Sequence, residues 1–234
     1  MSKIIGIDLG GWEKKTTGVC VLEVNEKLKP IGNYCSSCQI TSGSHLITNI
    51  KPYLKDTSII AVDGPLTKGQ GKGKMRLWEK FLSTSIFRKA KINPLPPILM
   101  PEIVQEGLWL VQKLKNYGFS LDLNVIETFP TFVSEVCGTG KNLRKQIQKV
   151  TKKEIIIPPC SNSHQRSAFI CALVAFLHSQ NLTSFLGYRD GCLIVPAFQF
   201  WTTKWQILFK EAWQGKDYLK YRHLKTDLIK TRPA

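Results

Sequence analysis

Three acidic residues stand at the ends of short apolar runs: Ile7-Asp8, Val62-Asp63 and Ile126-Glu127. Such runs read as strands, and in an open α/β sheet the carboxyl ends of the strands line the ligand crevice. Carboxylates gathered there repel one another, and a bound cation relieves the repulsion. Oxygen-only donors suit Mg2+ or Mn2+. Ions held in this way activate water and steady a leaving phosphate oxygen. Acids that follow strands are also ordinary turn formers, so one alone would carry little. Asp8, Asp63 and Glu127 are therefore the candidate metal ligands.

A second group of residues suits a polyanion. Thr67–Arg76 interleaves Gly69, Gly71 and Gly73 with Lys68, Lys72, Lys74 and Arg76. Glycine amides approach phosphates closely and the cations attract the backbone, although a mobile, solvated loop has the same composition. The whole chain, 234 residues long, carries a net charge of +16. A surplus of that size favours nucleic acid or an acidic membrane face. Nucleotide hydrolysis on a phosphate loop is disfavoured: Gly64 and Gly69 have the spacing, but Gln70 stands where the loop needs Lys. Cys137-Gly-Thr-Gly-Lys-Asn142 fails as well, because Asn142 replaces Ser or Thr.

These residues need a scaffold. Strands are expected at 3–9, 17–24, 30–40, 58–62, 121–127 and 192–196, the first three as an antiparallel meander. Helices are expected at 44–54, 76–89, 102–117, 130–136, 141–150 and 163–180. The last is the strongest, with Phe169, Leu173, Phe176 and Leu177 on one face and Ala168, Ala172 and Ala175 permitting close packing. Trp205, Leu208, Phe209 and Trp213 have the spacing of a packed amphipathic helix. Tyr218–Arg222 and the last lysines remain for contact with a partner. The pattern is α/β: one domain over 1–200 and a basic, aromatic extension over 201–234.

No run reaches the ~18 apolar residues of a spanning helix, and the N-terminal apolar run is too short for a secretory signal. Seven scattered cysteines then suggest reduced thiols and a cytoplasmic protein. Cys35-x-x-Cys38 lacks the second pair that structural zinc requires, so packing is the better reading.

The order Ile-Gly-Ile-Asp-Leu-Gly-Gly-Trp, Ala-Val-Asp-Gly-Pro-Leu, Arg76-x-x-Glu79 and Glu127-Thr-Phe-Pro130 resembles domain-of-unknown-function family 429, predicted RNase H-like nucleases. The resemblance runs from residue 3 to about residue 178. It implies an RNase H-like mixed sheet of five strands in order 3-2-1-4-5, flanked by helices. It also implies metal ligation by Asp8 and Asp63, with Glu79 and Glu127 as neighbouring catalytic acids. Related nucleases place an acid on a late helix. Here His164 matches the start of that helix, as a ligand, a proton relay or merely a cap or surface residue, and Ser167 stands in place of the acid. A serine hydroxyl brings no charge for a second dication.

The expected function is thus a metal-dependent phosphodiesterase on DNA or RNA. Hydrolysis would be weak, draw on Glu127 or Glu79, or be lost, leaving a nucleic-acid binder. The likeness to resolvases, which pair to cut two strands, allows a homodimer. Gly-Ile-Asp-Leu-Gly also resembles the first phosphate loop of actin-like ATPases, a weaker reading because no second copy is found.

Overall fold

The computed structural model describes residues 2–11, 16–31, 37–38, 43–68, 75–188 and 190–214. In chain order the elements are β1 (Ser2–Asp8), β2 (Thr17–Val24), β3 (Lys27–Pro30), β4 (Ser37–Cys38), α1 (Gly43–Leu54) and β5 (Thr57–Asp63). There follow α2 (Leu77–Leu82), α3 (Ser85–Lys89), α4 (Pro101–Lys115), β6 (Val125–Thr128), α5 (Pro130–Cys137) and α6 (Thr139–Thr151). The last are β7 (Glu154–Ile155), α7 (Ser163–Ser179), β8 (Thr183–Tyr188), β9 (Gly191–Pro196) and α8 (Thr203–Gln214).

All the strands join one mixed sheet in the order β7-β3-β2-β1-β5-β6-β9-β8, with β4 pairing β2. This corrects the expected five strands: the described sheet has nine, and it is extended at both ends. The two-residue strand β7 adds parallel to β3, and the β8–β9 hairpin adds beyond β6. Of the expected strand over 30–40, β3 ends at Pro30 and β4 covers Ser37–Cys38, while residues 32–36, Cys35 among them, and 39–40 lie outside the described residues. The expected helix over 76–89 breaks into α2 and α3 at Ser83-Thr84.

Side-chain alternation along the strands separates two cores. Ile4, Cys20, Leu22, Ile59, Ala61 and Ile126 face α7, the aromatic residues of α2 and α3, and α8. Ile5, Ile7, Val19, Val21, Ile60, Val62 and Val125 face α1 and α4. A central strand covered on both faces needs apolar residues at consecutive positions, and Ile4, Ile5 and Ile7 of β1 are all fully buried.

Helix α7 lies across β1, β5 and β2. Two glycines bring it in. A Cβ on Gly6 would stand 2.0 Å from the Ala168 carbonyl oxygen, and one on Gly18 would stand 2.3 Å from that of His164. At the other end of the fold, Trp205 and Phe209 of α8 are buried as the spacing predicts, with Phe209 edge-on to Trp201 at 4.9 Å. The extension therefore begins inside the core, and residues 215–234, including Tyr218–Arg222, lie outside the described residues. Among the described residues no helix is long and apolar enough to cross a membrane.

Candidate active site

β1 and β5 are parallel neighbours, and their register sets Asp8 directly beside Asp63. Ile4, Gly6 and Asp8 alternate onto the face that α7 covers, as do Ile59, Ala61 and Asp63. The two carboxyls are near enough to influence each other's ionisation. Because α7 is drawn down at Gly18, its first turn comes over the strand end, where His164 Nδ1 lies 2.9 Å from Asp8 Oδ2.

Electrostatics follow from this crowding. Burial, first, raises Asp8 to about 6 in spite of the opposing His164 and Asp63 hydrogen bonds. Asp63 is held well above the usual carboxylate range by burial, then by the charges of Asp8 and Glu127. Burial and the neighbouring negative charges thus favour the protonated form of the pair.

Glu127 has a different position. β6 pairs with β5 so that Val62 faces Glu127 and Asp63 faces Thr128. Glu127 alternates with Val125 toward the α4 side, one residue out of step with the aspartates. Its Oε2 accepts from the Leu66 amide at 2.9 Å and from Arg76 Nη1 at 2.7 Å, while Oε1 accepts from Arg76 Nη2 at 2.6 Å. Glu79 Oε1 accepts from the same guanidinium, at 2.9 Å from Nε and 2.6 Å from Nη2, and its Oε2 accepts from the Arg76 amide. The oxygens of Glu127 and Glu79, the expected catalytic acids, are thus engaged by Arg76. Arg76, expected to grip phosphates, is itself corrected, being only 1% exposed and stacked on Trp78 at 4.7 Å. Burial opposes its charge, but Glu127 and Glu79 outweigh burial and raise its proton affinity. Burial likewise raises both glutamates against the pull of Arg76.

The acids open into a cavity of about 400 Å3. Asp8, Asp63, Thr128, Phe129 and Lys91 are in its wall, with Asn93–Leu95 from the proline-rich segment. Thr128 is the residue sequence reasoning missed. It is level with Asp63, and its buried hydroxyl finds no hydrogen-bond partner among the described residues. The only signal was its place after Glu127, since the alternation that turns Glu127 away turns Thr128 inward. Lys68 is exposed at the edge of the loop after β5, and Lys72 and Lys74 lie outside the described residues. Ser167 lines a second cavity with Ser163 and Arg166 and is absent from the wall of the first.

Two carboxyls forced to share a proton, with a hydroxyl beside them, are a hard-cation donor set. Among the described residues no group of three or more His, Cys, Asp or Glu is arranged to hold a metal. Comparisons with protein-family models, curated proteins and solved structures find no match for this chain.

Proposed function

We propose that this chain is an RNase H-like, divalent-metal-dependent phosphodiesterase acting on DNA or RNA. The observation that carries the reading is the side-by-side pair Asp8 and Asp63, in register at the carboxyl ends of adjacent parallel strands. Two further features support it: the inner strand run β3-β2-β1-β5-β6, antiparallel on one side of β1 and parallel on the other, and α7 across its face. The net charge of +16 suits the substrate class.

Asp8 and Asp63 would hold Mg2+ or Mn2+, which supplies positive charge for the phosphate oxygens and acidifies water. The protein does the rest. On loading, the pair would release its proton to solvent, so that both carboxylates would be charged. His164 fixes Asp8 by the contact at 2.9 Å, and a supporting partner of this kind orients a ligand. Thr128 offers its hydroxyl to a phosphate oxygen. Arg76 pairs with Glu127 and Glu79 and offsets their negative charge beside the aspartates. The described chain offers no late-helix acid: position 167 is serine.

The test is cleavage of labelled single- and double-stranded oligonucleotides with Mn2+. Wild type is expected to cut, and Asp8→Asn to lose more than the ~10–100-fold that a supporting residue costs. Cleavage unaffected by Asp8→Asn would refute the assignment. A second reading, a nucleic-acid binder without hydrolysis, is favoured by the engagement of Glu79 and Glu127 with Arg76 and by Ser167. Salt-dependent binding without cutting would select it.

A further inference from the structure

Beside the acid cavity lies a second, larger one of about 920 Å3. Both have Thr131 in their walls, so they adjoin at the start of α5. Their chemistry differs. The first carries Asp8, Asp63, Glu79 and Glu127, whereas the second has a single carboxylate, Glu135, whose Oε1 accepts from Trp205 Nε1 at 3.3 Å. Two arginines face that space. Arg166 is exposed on α7, and the buried Nε of Arg144 on α6 finds no partner among the described residues. Ile157, Pro158, Phe169 and Ile170 make the wall apolar, with Ile157 49% exposed.

A ligand for this space has a flat apolar body and an anionic link, and it continues from whatever reaches Asp8 and Asp63. We propose that the second cavity receives an unpaired nucleotide of the strand being cut, with its base on the apolar wall and its phosphate between Arg144 and Arg166. The inference rests on the phosphodiesterase reading and deepens it: the substrate is single-stranded next to the scissile bond. A duplex hides its base faces in the stack, while an unpaired base presents one to an apolar platform. An acidic peptide would satisfy the arginines and leave the apolar wall uncovered.

The test uses the full chain as Asp8→Asn, so that substrate persists, and a fluorescent single-stranded oligonucleotide carrying one 5-iodouracil. Arg166→Glu is added to that background, with far-UV circular dichroism to verify folding. Expected results are an affinity about tenfold lower, a salt slope reduced by about 1, and a photo-adduct within residues 157–170. Equal affinity with Arg166→Glu, an adduct confined to other segments, no binding of the oligonucleotide, or its displacement by polyglutamate of equal charge would each overturn the proposal. The two readings fail separately. Arg166-dependent binding without cleavage by wild type removes hydrolysis and keeps the cavity assignment. Cleavage with Arg166-independent binding removes the cavity assignment and keeps hydrolysis.

Discussion

Burial first, then the charges of Asp8 and Glu127, favour the protonated form of Asp63, and that arrangement costs stability at neutral pH. The sign follows from linkage. Both carboxyls bind protons more tightly when folded than the ordinary value of 3.8, Asp8 up to about 6 and Asp63 well above the usual carboxylate range. Stability is therefore favoured by protonation, and it declines as pH rises from about 4 through 6 and beyond. Asp63→Asn removes the repulsion and keeps a hydrogen-bond donor. At pH 7.5 it is expected to raise the melting midpoint by ~2–4 °C for each kcal/mol relieved, and to flatten the decline with pH. Thermal unfolding of both proteins between pH 5 and 8 checks this, and a lower midpoint for Asp63→Asn would contradict it. Arg76 has the reverse role. Arg76→Met leaves Glu79 and Glu127 buried without their partner, at an expected cost of ~3–5 kcal/mol. Urea unfolding measures it, and a loss below about 1 kcal/mol would mean that the glutamates find other partners.

At the scale of elements, the site depends on how closely α7 meets the sheet. Gly18 carries no side chain where the His164 carbonyl passes, so His164 reaches Asp8 at 2.9 Å. Gly18→Ala must push the first turn of α7 outward, and overpacking of this kind costs ~1–3 kcal/mol. Metal affinity is expected to fall by ~10–100-fold as Asp8 loses its support. Unchanged manganese affinity in a folded Gly18→Ala protein would separate His164 from the site.

The same element explains what was legible beforehand. The alanine face and apolar periodicity of 163–179 marked α7, and the runs Ile4–Ile7 and Ile59–Val62 marked the two strands that carry the aspartates. Register was not legible. Glu127 ends an apolar run as Asp8 and Asp63 do, but the pairing sets Thr128 beside Asp63, and no local pattern reveals a one-residue offset between strands. Arg76 was misread for a related reason. Its neighbours Lys68, Lys72 and Lys74 suggested a solvated basic loop, whereas its burial depends on Glu127, 51 residues away. β7 and the β8 half of the last hairpin were too short or too weakly patterned to stand out.

Across the whole molecule, positive charge and two adjoining cavities surround a small negative centre. On the proposed reading the net +16 would draw a polyanion in, the apolar cavity with Arg144 and Arg166 would take the strand beside the cut, and the acidic cavity would take the cut itself. α8 closes the core behind, through Trp205 and Phe209. All of this depends on one property: the paired carboxyls exchange their proton for a divalent cation. Calorimetric titration with Mn2+ at pH 7.5, in two buffers of different ionisation enthalpy, tests it most directly. The account predicts about one ion per chain, proton release on binding, weaker binding at pH 6, and loss of the signal in Asp63→Asn. No binding by wild type, or equal binding by Asp63→Asn, would contradict it.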